Sequence, residues 1–267
     1  GRMKKWLAGL IFFVSVILLS MSIYTLMGMF GQEMKDRKGY EKLQEIYEDG
    51  ERGADELRDE ADGNLTESHD DGKEIHINEG LLALHEQNPD CIAWITIEGT
   101  AINYPVMYRP EEKNYYLHRD FTGEYSPSGS LFLSEICEPQ GCDNQIIYGH
   151  HMSSGTMFAA LDGYKSEDFY REHPVIHLST LHGDEEYHVM AAFAVPVYTG
   201  KDFAYYSFSK AGTQEEFSDY VTGCKERSFY ETGETARYGD RLLTLSTCEY
   251  SHKNGRMVVV ARRISGR

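Results

Sequence analysis

The sequence predicts a mainly β domain, a closed or nearly closed barrel with helical insertions, preceded by one transmembrane helix. Three observations carry that expectation. An uncharged apolar run of 25 residues, Trp6 to Phe30, lies near the N-terminus. From Ile92 onward come roughly eight short runs rich in β-branched and aromatic residues, separated by turn signals. Two stretches of helical character interrupt them. At 41% hydrophobic and 12% aromatic, a chain of 267 residues can bury a real core, so its bulk is not a disordered tail.

Charge narrows the partners. The formal net charge is −17; the first thirty residues hold three basic and no acidic side chains, leaving 23 basic against 43 acidic in the remainder. A phosphate backbone needs clustered Lys and Arg to release counterions, so no nucleic-acid partner is expected. An acidic surface of this kind faces water and repels its own copies.

Gly1-Arg2 read as a scar ahead of a natural start at Met3-Lys4-Lys5. A helix of about 20 residues crosses the hydrocarbon core, so Trp6 to Phe30 is long enough to span. A cleaved signal would have an apolar region of only about 7–15 residues with a small-residue site after it. Ser20-Met21-Ser22 imitates such a site only inside the run. An uncleaved signal anchor is therefore expected, in preference to a buried core helix. Lys4 and Lys5 favour a cytoplasmic N-terminus with the rest outside, although Lys35, Arg37 and Lys38 on the other flank oppose that rule. Glu33 to Arg58 is charged and helix-forming, with Tyr40, Leu43, Ile46 and Tyr47 on one face. Glu48 to Gly72 is acidic and carries four glycines, which reads as a solvated linker. Asn64-Leu65-Thr66 matches a sequon by chance. The expected division is residues 1–5 scar and cytoplasmic N-terminus, 6–30 anchor, 31–75 helical stalk and acidic linker, and 76–267 the globular domain.

Within that domain Glu79 to Glu86 reads as a short helix closed by Asn88-Pro89-Asp90. Strand runs follow at 92–97, 101–107, 130–133, 145–148, 175–181, 186–197, 241–247 and 256–264. Glu98-Gly99-Thr100, Pro127-Ser128-Gly129, His182-Gly183-Asp184 and Lys253-Asn254-Gly255 separate several of them. Helices are expected from Met157 to Leu161, continuing to Arg171, and from Thr213 to Arg227. The pattern alone leaves barrel and sandwich open.

Three segments carry chemistry. Thr244-Leu245-Ser246-Thr247-Cys248 is a strand that ends on a thiol, ahead of the polar Glu249-Tyr250-Ser251-His252 loop. Ile146-Ile147-Tyr148-Gly149-His150 is a buried strand that ends on an imidazole. Arg256 opens the last strand across an expected hairpin from Cys248. A cysteine is a useful nucleophile as thiolate, which a neighbouring imidazolium or guanidinium stabilises. Acyl transfer also needs a donor for the oxyanion.

TLSTC with the downstream Arg256, together with the upstream YGHHM and SSGTMF, resembles the sortase family. CIAWITIEGTAINYPV, YYLHRDF and SGSLFL resemble the first strands of its class B, over about residues 88–264. The helix before the penultimate strands also fits class B better than class A. The resemblance implies an eight-stranded β-barrel at the cell surface that cleaves a C-terminal sorting signal of surface proteins after a Thr. A thioacyl enzyme forms and is resolved by an amine of a cell-wall precursor or a pilin lysine. It makes Cys248 the nucleophile, His150 the general acid/base and Arg256 the oxyanion and substrate-positioning residue. Ser246 and Thr247 would shape the substrate site, and no cofactor or metal is implied.

Competing readings of the same residues remain. His151 rivals His150, and Arg262 and Arg263 rival Arg256, although they fall at the far end of the last strand and read as solvated ends. Glu249 reads as a solvated loop charge. Cys91 and Cys224 read as packing positions. Cys137 and Cys142 flank a short loop where a disulfide, a free pair and metal binding are all open, a structural role being favoured. An anchored thiol hydrolase and a peptide-binding barrel without chemistry compete with transpeptidation. The complete Cys-His-Arg set argues against the second.

Overall fold

The computed structural model describes residues 2–62, 78–196, 203–249 and 255–264. Two compact units are present, residues 1–40 and 41–267. The first helix, α1 (Arg2–Asp62), supplies all that is described of the first unit. There Leu10, Phe12, Phe13, Leu19 and Phe30 are exposed. Among the described residues α1 is the one helix long and apolar enough to cross a membrane. Ser15 and Ser20 return their hydroxyls to the backbone one turn earlier, to Ile11 at 2.9 Å and Val16 at 2.8 Å. That pairing lets a polar side chain sit in an apolar stretch without an orphaned donor.

In the second unit α1 runs on as a packing element. Leu43 and Tyr47 are buried. The Tyr47 ring stacks on Trp94 at 4.4 Å, and its hydroxyl donates to Ser179 at 2.8 Å. The helix continues to Asp62, through residues whose acidic, glycine-bearing texture reads as a linker. Gly50 has a packing reason: a Cβ there would run into the backbone of Gly80, on the next helix, α2 (Glu79–Gln87). The rest of the predicted linker, from residue 63, and the Asn64 sequon lie outside the described residues. Asn78 caps α2, accepting from the Leu81 N–H at 2.9 Å.

Eight strands follow: β1 (Cys91–Thr96), β2 (Asn103–Met107), β3 (Leu131–Leu133), β4 (Asn144–Tyr148), β5 (Val175–Thr180), β6 (Gly183–Pro196), β7 (Leu242–Glu249) and β8 (Gly255–Arg263). They close into a barrel in the order β1-β2-β3-β4-β7-β8-β6-β5, which decides for barrel over sandwich. Closure removes every unpaired edge. The β2–β3 and β4–β7 pairs are parallel; the others are antiparallel. Gly99 (φ 75°) and Gly183 (φ 117°) make the turns that the sequence marks. β7 runs on to Glu249, so the position read as loop is strand; residues 250–254 of that loop and turn lie outside the described residues.

The first helical insertion is a 3-10 helix, Phe158–Lys165, followed by α3 (Glu167–Glu172). The second is α4 (Gln214–Arg227), capped by Thr213, which accepts from the Glu216 N–H at 3.2 Å. Glu215 and Glu216 in its first turn and Lys225 and Arg227 in its last complement the helix dipole. α4 buries Phe217, Tyr220, Val221 and Cys224 with Phe193 of β6 and Val258 and Val260 of β8. Cys91 and Cys224 are fully buried packing residues, and burial pushes both thiols up to about 12.

The α1–α2 crossing yields a test with opposed signs. Alanine at a helical glycine normally gains about 1 kcal/mol in propensity. At Gly80 the added methyl meets the backbone of Ile46 and Tyr47. Gly80→Ala should therefore destabilise the domain by about 1–3 kcal/mol, as overpacking does. A thermal or denaturant melt that shows stabilisation would remove the crossing argument.

Candidate active site

Three strand ends meet at one end of the barrel. The parallel register pairs Tyr148 of β4 with Ser246 of β7, and the Gly149 N–H donates to the Ser246 carbonyl at 3.2 Å. Carrying that register on by two positions brings His150 level with Cys248. On the other side of β7 the antiparallel register sets Cys248 opposite Arg256, and Arg256 opposite Val195 of β6. Residues directly opposed across an antiparallel pair share a face of the sheet. Position 149 must be glycine because a Cβ there would run into Leu131 and the Phe158 ring.

His150 is held from a segment far away in sequence. Its Nε2 lies 2.7 Å from the Leu117 carbonyl oxygen, 33 positions earlier in the chain. A carbonyl only accepts, so Nε2 carries the proton and Nδ1 of the neutral ring is left to take one up. The His118 ring stacks on the His150 ring at 5.1 Å and 25°. Both contacts come from the 3-10 helix Tyr115–His118, which has no counterpart in the predicted elements. Burial holds the His150 pKa below its ordinary value, and the neighbouring His118 and Arg256 act the same way.

The other named residues sort themselves by position. His151 turns to the 3-10 helix Phe158–Lys165, with Nε2 at 3.1 Å from Asp162. The Arg256 guanidinium donates to the Gly255 carbonyl at 2.9 Å. Arg262 and Arg263, at the far end of β8, are ion-paired with Glu234 at 2.9 Å and Glu185 at 3.0 Å. Half-buried partners replace the solvated ends that the sequence predicts for them. Ser246 is buried and bonded through Oγ to the Tyr205 hydroxyl at 2.7 Å. Thr247 is 2% exposed, and its Oγ1 has no hydrogen-bond partner among the described residues. Tyr205, packed with α4, is the partner of Ser246 that sequence spacing does not reveal. Among the described residues no group of three His, Cys, Asp or Glu side chains could hold a metal.

A thiol position, an imidazole held through Nε2 and a guanidinium are the parts that acyl transfer through a thioester requires. A family model described as the sortase domain matches residues 95–264. Sortase B of Staphylococcus aureus is 28% identical over 266 residues, 98% of each chain. Sortase B of Listeria monocytogenes is 32% identical over 192 residues, 71% of this chain and 76% of that protein. Among solved structures, a Staphylococcus aureus sortase B–substrate complex superposes with a TM-score of 0.72 at 27% identity, covering 88% of this chain and 99% of that one.

The stack of His118 on His150 generates a titration prediction. In His118→Phe the ring contact is kept and the charge is lost, so the His150 imidazole should titrate at higher pH than in the parent, followed by NMR. An unchanged His150 titration would show that the stack carries no electrostatic weight. The sign for stability follows from the depressed value. Folded His150 holds its proton less tightly than the unfolded chain does, so its contribution is present above about pH 6.5 and is lost as pH falls through the folded pKa.

Proposed function

The chain belongs to the sortase family as a class B member, a cysteine transpeptidase acting on sorting signals of surface proteins, and from that premise we propose that Cys248, His150 and Arg256 perform the transfer. The observation that supports these roles most directly is the register that sets Cys248 opposite Arg256, with β4 leading to His150 beside them. The Cys248 thiolate attacks the carbonyl carbon of the Thr residue in the sorting signal, and the carbonyl oxygen becomes an oxyanion. Arg256 meets that charge as it develops; its planar fork stays protonated throughout. On collapse the C–N bond breaks, the leaving amine takes a proton from His150, and a thioester remains on Cys248. The acceptor amine then attacks the thioester and yields a proton to His150. The new amide forms as the Cys248 sulfur leaves.

The acceptor in this reading is an amine of a cell-wall precursor or a pilin lysine. Residues 6–30 anchor the protein in the membrane with the N-terminus inside, residues 31–75 form a stalk and linker, and the catalytic domain from residue 76 faces outward. The uncharged apolar run supports the anchor, and Lys4 and Lys5 support the orientation.

The roles separate in one set of variants, assayed with sorting peptides with and without an amine acceptor. Cys248→Ala should keep its fold and lose all peptide cleavage. Arg256→Lys keeps the charge but not the fork, so the rate should drop by about 10²–10³, as when an oxyanion donor is removed. His150→Ala should be at least as damaging, while His151→Ala keeps most activity, with folding checked by circular dichroism. Turnover by Cys248→Ala would remove the mechanism. An active His150→Ala beside a dead His151→Ala would reassign the base. Cleavage that an amine neither accelerates nor diverts would make the enzyme a hydrolase.

Membrane placement has its own test. Full-length protein should stay in the membrane fraction after an alkaline wash, and protease added to intact cells should cut between residues 48 and 72. Full-length protein in the soluble cytosol would overturn it.

A further inference from the structure

The connection from β3 to β4 carries Cys137 and Cys142, two thiols that the transfer reaction does not use. Both are free and buried, 1% and 4% exposed. The segment between them is a tight turn. Cys137 N–H donates to Ser134 at 3.0 Å, and the Gly141 and Cys142 N–H groups both donate to the Glu138 carbonyl, at 3.1 and 3.3 Å. Cys137 Sγ donates to the Asn144 carbonyl at 3.4 Å, and the turn brings the two thiols close enough to act on each other. Arg241 clamps the turn, donating to the carbonyls of Cys142 at 3.0 Å and Gln140 at 2.6 Å.

The two sulfurs are not equivalent. Contact with Cys137, then the Arg241 charge, holds the Cys142 thiol below its ordinary range. Contact with Cys142, then burial, pushes Cys137 far up. Cys142 is therefore the thiol that becomes the attacking thiolate, with a resolving thiol already in contact. A metal would need more ligands than two sulfurs, and among the described residues no larger group forms here.

We propose that Cys137 and Cys142 form a redox couple that closes as a local disulfide, oxidised by a small-molecule disulfide during folding. The Cys142 thiolate attacks one sulfur of the reagent, forming a mixed disulfide and releasing one thiolate. Cys137 then attacks the Cys142 sulfur, forming the protein disulfide and releasing the second thiolate. The two protons from the cysteines end on the two released thiols, so one disulfide is reduced as one is made. The site lies at the end of the barrel away from the transfer site. β4 and β7 both start beside it, joined there by the Leu242 N–H to the Asp143 carbonyl at 2.7 Å, and reach His150 and Cys248 at their other ends. Closing the couple therefore ties down the start of β4 and leaves the Cys248 thiol out of the bond.

The test uses the full-length chain in detergent, refolded with oxidised glutathione, then denatured in iodoacetamide without reductant and mapped by mass spectrometry. Cys137 and Cys142 should be unlabelled and joined, their linked peptide about 2 Da lighter than its reduced form, with both labelled only after reduction. Cys91 and Cys224 should be labelled without reduction. As a second readout, the oxidised parent should melt a few degrees above the reduced parent. Cys137→Ser/Cys142→Ser should lose that redox difference while keeping peptide cleavage. Labelling of both cysteines without reduction, or a stable glutathione adduct on either, would overturn the proposal.

Discussion

The parallel ladder between β4 and β7 is the constraint on which the rest depends. The two strands run side by side for five paired positions, Asn144 with Leu242 through Tyr148 with Ser246. A slip of one residue would turn every side chain of a strand to its other face. The register is locked by a buried polar cluster at its start. The Thr244 hydroxyl donates to Asn144 at 2.8 Å, and the Asn144 amide donates to the Phe208 carbonyl at 2.8 Å and the Tyr220 hydroxyl at 3.3 Å. Any other register would leave several of these groups buried and unpaired, each costing about 1–3 kcal/mol. An apolar core tolerates slippage that such a cluster does not. It sits at the opposite end of the strands from His150 and Cys248, so the register of the site is fixed by bonds remote from it.

The α4 layer is the second support. Phe193, Val258 and Val260 of the barrel wall lie under Phe217, Tyr220 and Val221 of α4, with Tyr205 in the same cluster. Phe208 stacks on Tyr220 at 4.0 Å, linking the aromatic layer to the carbonyl that receives the Asn144 amide. Tyr205 reaches from that layer to Ser246, two positions before Cys248. The face of β7 and β8 that leads to Cys248 and Arg256 is thus covered as far as Ser246. The helical insertion gives the end of β7 a rigid backing through Tyr205.

Much of this was legible in the sequence because it depends on local pattern. The strand runs, the marked turns at Gly99 and Gly183 and the helix that ends at Arg227 are set by neighbours along the chain. So is the order of Gly149-His150, Cys248 and Arg256. What was not legible depends on contacts between distant segments. Nothing in the spacing of YYLH announces that Leu117 and His118 would hold His150, because a single 3-10 turn has no periodicity to read. Gly50 read as linker chemistry, yet it is where two helices cross. Ser246 read as a residue that shapes the site, and nothing in TLSTC announces that its hydroxyl pairs with Tyr205. Glycine and serine are ambiguous in this way because each serves solvated turns and close packing alike, and only the partner decides.

The same logic separates the cysteines. Residue type alone makes five candidate nucleophiles. Burial pushes Cys91 and Cys224 up to about 12, in Cys224 against the opposing charge of Arg227, so neither supplies thiolate near neutral pH. Cys137 and Cys142 face each other in a turn clamped by Arg241, and either one's reactivity is spent first on its neighbour. Position 248 differs from all four in its register. It stands across from the Arg256 guanidinium and beside the strand that leads to His150. In the proposed mechanism the nucleophile is defined by what the neighbouring strands bring alongside it: the β7–β8 pairing sets a guanidinium across from position 248, and the β4–β7 ladder leads to an imidazole beside it.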